Sequence, residues 1–438
     1  MASRPTYFRN AFLLTASQHD ASIYRQSKFV RPRVVRLFVS SLSVVLTALT
    51  ALLLVALTSA LPPVLDIRPA LFVASVLASV LVFAVSRKSS SVVRRALTLA
   101  LAVALGSVAL ATVYDLTLAY RTEEVSFTNG DVTLRGTLYL PRERGRHPAL
   151  VFIHGSGVQP RDESRFYART YAREGIAGLA YDKRGSGESS GSVQGVTYQA
   201  LADDAFHGIE LLRRHSEVNA QQVGVHGISE GEWTGVLAAL KARPAFLVIV
   251  SGAAMSPAEQ VAYETAENVR RGGFGEDAAQ QAGDLYRRVS AFYRTGQGRD
   301  ALNRALDAAS EQPWFDTAWY LEKSVPDYSE LQQVPWFNGW LARMDFDALP
   351  LMGGLTCPVL LQEGGADPKM DGAAAIKRMR QAVERGGKSR FTGILYPDAS
   401  HNIIEWRLPW HMPPPWFASG YLTDQTHWVA DQVGFVDR

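Results

Sequence analysis

Gly227-Ile228-Ser229-Glu230-Gly231 follows the pattern G-x-S-x-G. Before it, residues 222–226 form a short apolar run suited to a buried strand. After it, residues 233–241 are rich in Ala and Leu, which favour helix. Strand, sharp turn and helix is the context in which this pattern presents a serine hydroxyl at an exposed tip, the nucleophile elbow. The two glycines have a steric reason. A serine held in so tight a turn leaves no room for a side chain two residues before it or two after. A helix beginning at Glu230 also aims unpaired N–H groups and a positive dipole end at Ser229.

Strands and helices alternate on the N-terminal side of the elbow. Residues 124–128 and 132–139 flank Asn129-Gly130 and read as a hairpin. Residues 148–153 and 176–181 are apolar strands, and residues 164–174 a helix between them. Thr197 is placed to cap a helix reaching Arg214. Residues 246–250 form another apolar strand. The alternation then stops, and residues 253–350 read as a charged helical insert carrying Trp314, Phe315, Trp319, Tyr320, Trp336, Phe337 and Trp340. It resumes with a strand at 359–362, a helix at 372–385 and a strand at 392–396. An irregular Pro- and Trp-rich tail spans 408–417, and a last helix spans 423–433. The expected fold is α/β: a mostly parallel sheet with helices on both faces, a core in two parts (119–252 and 351–438), and the insert as a cap.

A serine hydroxyl needs a base within hydrogen-bond reach, and the base needs an orienting carboxylate. Behind an elbow these come in the order acid, then histidine. Asp367 lies in Glu363-Gly364-Gly365-Ala366-Asp367-Pro368, just past the 359 strand. His401 lies just past the 392 strand. Strand ends along one edge of a parallel sheet converge, so the three segments can meet. Asp345, Asp347 and Asp398 compete with Asp367, and His411 and His427 with His401. His19 and His147 fall in surface-type segments, and His207 and His215 in a solvated helix. An oxyanion requires N–H donors. The Glu230 amide is one, its side chain bracing the elbow. The other is expected from His154-Gly155-Ser156-Gly157 after the 148 strand, at the Ser156 amide with Gly155 and Gly157 as near neighbours. The Gly-rich loop 182–189 lacks a phosphate-binding arrangement and reads as a turn in which Asp182 and Arg184 bond locally.

The N-terminal third has a different character. Residues 1–36 carry seven Arg and Lys against a single acid, Asp20. Residues 37–61, 67–86 and 96–114 are apolar runs grouped as a transmembrane region over 37–118; the first has about the length a membrane helix requires, and the second, interrupted at its start by Arg68 and Pro69, is short for a span. Arg87, Lys88, Arg94 and Arg95 lie between the last two. Three spans with the basic arm and this loop on the cytoplasmic side leave the rest of the chain outside the cytoplasm. A cleaved signal peptide and a non-crossing second run are the competing topologies. No ionisable residue lies mid-span, which argues against a channel or transporter.

A net charge of +3 gives no reason to expect a nucleic-acid partner. The lone Cys357, beside Pro358, reads as a buried structural thiol. No metal-ligand spacing or cofactor fingerprint is present, so no metal and no cofactor is expected.

Taken together, His154-Gly155-Ser156-Gly157 with Arg161-Asp162, then Asp182-Lys183-Arg184-Gly185-Ser186-Gly187, then Ser229-Glu230-Gly231 resemble the α/β-hydrolase superfamily. The likeness is to a bacterial esterase-like and acyl-peptidase-like group, and it covers roughly residues 123–251 and 355–438. The resemblance implies Ser229 as nucleophile, His401 as base, Asp367 as acid, and oxyanion amides at Ser156 and Glu230. Ile228 departs from the usual His, and Trp233 departs from a smaller residue in a way that would narrow the pocket. The expected activity is that of a serine hydrolase anchored in the bacterial cytoplasmic membrane, acting on a small acyl substrate such as a carboxylic ester. An aminopeptidase- or amidase-like hydrolase and a non-catalytic binding module are the alternatives.

Overall fold

The computed structural model describes residues 119–405 and 416–434. The basic arm, the three apolar runs, His19, His411 and residues 408–415 of the tail lie outside them. Among the described residues no helix is long and apolar enough to cross a membrane.

Eight strands form one sheet: β1 (Tyr120–Asn129), β2 (Val132–Pro141), β3 (His147–Ile153), β4 (Ala177–Tyr181), β5 (Val218–Ile228), β6 (Leu247–Val250), β7 (Val359–Gly364) and β8 (Phe391–Tyr396). Their order is β1-β2-β4-β3-β5-β6-β7-β8. The β1–β2 and β2–β4 pairings are antiparallel, and every pairing from β4–β3 through β7–β8 is parallel. The hairpin forms one residue later than its turn signal. Asn129 pairs with Val132, so Gly130 and Asp131 make the turn, with Gly130 at φ +58°. That φ falls in the left-handed region that glycine enters without penalty.

Helices cover both faces, because successive strand residues point to opposite sides. Ala149, Val151 and Ile153 enter one core and Leu150 and Phe152 the other. On the first face lie α2 (Tyr198–Arg214), α3 (Gly231–Ala242) and α10 (Gly372–Gly386), contributing Leu201, Ile209, Val236, Met379 and Val383. On the second lie α1 (Asp162–Arg173) and α11 (Tyr421–Val433), contributing Tyr167, Tyr171, Tyr421 and Val429. Doubly covered strands read as unbroken apolar runs, as β3 and β6 do.

Between β6 and β7 lie α4 (Pro257–Arg271), α5 (Glu276–Thr295), α6 (Arg299–Ser310), a 3-10 turn (Phe315–Thr317), α7 (Tyr328–Leu331), α8 (Pro335–Leu341) and α9 (Leu349–Met352). All but α9 enclose a third core that includes Tyr286, Phe292, Trp314 and Phe337, while α9 packs Met352 into the first. Trp319 and Trp336 stay exposed at 74% and 54%. The irregular tail is partly ordered: β9 (Ile404–Glu405) pairs antiparallel with β10 (Trp416–Phe417).

Thr197 precedes α2 in extended backbone, and its hydroxyl accepts from the Ala200 amide at 3.2 Å. Thr197→Ala is expected to lower unfolding stability by about 1 kcal/mol, with Thr197→Ser near wild type, read from thermal melting of the purified protein.

Candidate active site

Each expected site residue follows the carboxyl end of a strand in the parallel part of the sheet. Ser229 follows β5 and opens into α3 with its backbone at φ +54°. A non-glycine residue there stores strain, which the surroundings must hold. Main-chain bonds do so: Ser229 N–H donates to Val250 O, and Ser229 O accepts from Glu232 N–H, both at 2.9 Å. The glycines fit the steric expectation. A Cβ on Gly227 would lie 2.3 Å from the Gly231 carbonyl oxygen, and one on Gly231 would lie 3.1 Å from the Ile153 carbonyl oxygen.

The loops after β7 and β8 are pressed together. A Cβ on Gly364 would meet the Ala399 and Ser400 carbonyl oxygens at 2.4 Å, and one on Gly365 would meet Pro397 O at 2.4 Å. Gly365 N–H donates to Tyr396 O at 2.7 Å and Ala366 N–H to Ala399 O at 2.9 Å. This closure brings Asp367 Oδ2 to 2.7 Å from His401 Nδ1. His401 Nε2 in turn lies 3.1 Å from Ser229 Oγ. With Nδ1–H donating to the carboxylate, Nε2 keeps a lone pair for the serine hydroxyl. The other Asp367 oxygen accepts from Lys369 N–H at 2.7 Å. Ser251, itself at φ +54°, donates its hydroxyl to the His401 carbonyl oxygen at 2.5 Å.

The rivals lie elsewhere. Asp345 pairs with Arg294, Asp347 accepts from Leu349 N–H, and Asp398 and His427 are exposed. His147 is buried at the start of β3, against its surface-type reading, and its Nε2 meets Glu143 O. His207 and His215 are half-buried rather than fully solvated. His154 is buried with Nε2 2.5 Å from Tyr181 O, and burial lowers its pKa to about 3, so it stays neutral near pH 7. Cys357 is buried, and burial pushes its thiol up to about 12.

The two expected oxyanion donors lie on loops that face each other. Neither the Ser156 nor the Glu230 amide forms a turn or loop hydrogen bond among the described residues. The loop after β4 behaves differently from its reading. Asp182 binds the Glu188 amide within the loop, but also Arg161 outside it, through backbone N–H at 2.7 Å and the guanidinium at 3.0 Å. Burial alone would raise the Asp182 carboxyl; these bonds hold it below the ordinary range. Arg184 leaves the loop for Asp204 on α2, at 2.6 Å. Lys183, which carried no expectation, donates to Gly155 O and Glu230 Oε1. Trp233 is buried, stacks on Tyr198 and donates to Met255 O at 2.9 Å.

Two further carboxyls were not foreseen. Glu232 and Glu363 are fully buried, each accepting one backbone N–H from the loop after β6 and each leaving its other oxygen without a partner. Burial raises Glu363 well above the ordinary range, and the Asp367 charge adds to it. Burial raises Glu232 to about 7. Among the described residues no group of three or more His, Cys, Asp or Glu is placed to hold a metal ion.

The Glu232 shift has a sign that can be tested. Its folded pKa lies above its ordinary value, so its stabilising contribution is complete at low pH and is lost as pH rises through about 7. Glu232→Gln keeps an acceptor for Ala254 N–H and does not titrate. Its melting temperature is expected to gain on wild type between about pH 5 and pH 8; a constant gap would mean that Glu232 does not titrate there.

Comparison with known proteins adds the family. Residues 129–399, more than half the chain, match the family described as X-Pro dipeptidyl-peptidase (S15 family). The uncharacterized protein PA2218 of Pseudomonas aeruginosa is 27% identical over 223 residues, 50% of this chain and 52% of that protein. Its crystal structure aligns at a TM-score of 0.44 with 19% identity, over 72% of this chain and 95% of that one. Thiohydrolase aneE of Aspergillus aculeatus is 33% identical over 118 residues, covering 26% and 36% of the two chains. Esterase EstD of Thermotoga maritima is 27% identical over 113 residues, covering 24% and 27%. The matches thus span about half the length of these curated relatives or less. With its sheet order, its elbow and this match, the chain belongs to the X-Pro dipeptidyl-peptidase (S15) family and is a hydrolase of the α/β-hydrolase fold.

Proposed function

We propose that the chain cleaves a carboxylic ester or related acyl bond through an acyl-enzyme on Ser229. The observation that carries this reading is the hydrogen-bonded chain Ser229–His401–Asp367, at 3.1 and 2.7 Å. His401 Nε2 takes the hydroxyl proton as Oγ attacks the acyl carbonyl. The Asp367 carboxylate holds the imidazole in the required tautomer and stabilises the imidazolium that forms. The Ser156 and Glu230 amides donate hydrogen bonds to the carbonyl oxygen as negative charge develops on it. His401 then protonates the leaving group, and water, activated by the same imidazole, releases the acid. These steps call for no cofactor.

Family membership favours a second reading, in which the acyl bond is an amide and the enzyme is aminopeptidase-like. The names of the thiohydrolase and esterase relatives lean toward esters and thioesters. We further propose that the apolar runs at 37–61, 67–86 and 96–114 anchor the hydrolase in the cytoplasmic membrane as three spans, with the catalytic part outside the cytoplasm.

A fluorophosphonate probe is expected to label wild type and not Ser229→Ala; labelling that survives the substitution would remove Ser229 as nucleophile. His401→Gln is expected to lower kcat by about a thousandfold or more, with the melting temperature kept. A panel of p-nitrophenyl esters run against aminoacyl-naphthylamides is expected to favour the esters. Faster amide turnover would favour the peptidase reading. For topology, a reporter fused after Arg438 is expected to be active only outside the cytoplasm.

A further inference from the structure

Two amides that must share one oxyanion come from different loops, Ser156 after β3 and Glu230 after β5. Their separation is set by whatever ties those loops together. Lys183, from the loop after β4, does so. Its ammonium is buried and donates to the Gly155 carbonyl oxygen at 2.8 Å and to Glu230 Oε1 at 2.6 Å. The Gly155 carbonyl and the Ser156 N–H belong to one planar peptide unit and point in opposite directions across it. Holding the oxygen therefore aims the N–H. On the other side, Lys183 grips the side chain of the residue whose own amide is the second donor.

The surroundings prevent this clamp from turning. Lys183 N–H donates to Gln159 O at 3.1 Å, and Gln159 N–H to Ser186 Oγ at 3.0 Å. Arg161 N–H donates to Asp182 Oδ1 at 2.7 Å. The loops after β3 and β4 thus move as one piece. The remaining Glu230 oxygen meets Arg343 at 3.3 Å, and Arg343 Nε donates to Gly339 O at 3.0 Å. The cap therefore holds the same carboxylate from above.

We infer that Lys183 is a positioning residue for the oxyanion site, fixing the Ser156 and Glu230 amides relative to each other without touching substrate. The inference rests on the proposed assignment of those two amides.

The test uses the full-length protein with a p-nitrophenyl ester and a trifluoromethyl-ketone inhibitor, whose tetrahedral adduct needs the oxyanion donors. Lys183→Met is expected to lower kcat by about 10- to 100-fold while KM moves by less than about threefold. Inhibitor affinity is expected to weaken by a matching factor, and Lys183→Arg to recover part of kcat. A kcat within about twofold of wild type, a loss carried by KM, or unchanged inhibitor affinity would each overturn the inference. If Lys183→Met does not fold, Lys183→Met/Glu230→Met removes both buried charges, keeps the Glu230 amide, and is read by the same criteria. Wild type that fluorophosphonate fails to label would instead bring down the assignment of the site, and the inference with it.

Discussion

The site depends on a main-chain constraint: a serine held at φ +54° between Gly227, where a Cβ has no space, and Gly231, where one would be crowded. That turn converts the end of β5 into the start of α3 within a few residues. It projects the hydroxyl past the sheet edge and turns free helix amides toward it. The neighbouring strands then need only end at the same edge. β3 and β4 bring the amide-bearing loop and the lysine that braces it; β7 and β8 bring the carboxylate and the imidazole. The function class follows from where the strands stop, and the doubly covered sheet keeps those ends in register.

The same edge gathers four carboxyls in separate electrostatic roles. Glu230 is buried but answered by Lys183 and Arg343. Glu232 and Glu363 are buried with one unanswered oxygen each, and their environment favours the protonated form. Asp367 accepts from the imidazole and a backbone amide. Were all four ionised and unpaired, their mutual repulsion in a region poorly reached by water would disrupt the edge. Pairing Glu230, holding Glu363 protonated and lifting Glu232 to about 7 lowers the negative charge around the one carboxylate that meets the histidine.

Local signals were legible in the sequence and long-range pairings were not. The elbow and Thr197 as a cap are each written in a few adjacent residues, because their physics is local. The acid and the histidine could be ranked because each directly follows an apolar strand. Arg184 was misassigned to its own loop, since nothing in a one-dimensional reading reveals Asp204 across the α2 boundary. Trp233 stands beside the elbow in the chain, but its partners Tyr198 and Met255 lie too far along the sequence to be read from it. Lys183, two residues past the buried strand β4, carries no local signal that sets it apart from a solvated loop lysine, since Gly155 and Glu230 are far from it in the chain. In the cap, charged residues at helical spacing gave the class of structure but not which aromatic rings would be buried.

The two contacts of the imidazole are not equally supported. Its link to Asp367 crosses a seam stitched by main-chain hydrogen bonds on both sides of two glycines, Gly365 to Tyr396 and Ala366 to Ala399. Its link to Ser229 crosses from β8 back to β5, and there the bond from the Ser251 hydroxyl to the His401 carbonyl helps to hold the imidazole loop toward the elbow. The imidazole and its carboxylate therefore share one pair of neighbouring loops, whereas the imidazole and the hydroxyl are joined only across the width of β6 and β7. A shift of that seam relative to β5 would part the second contact while keeping the first.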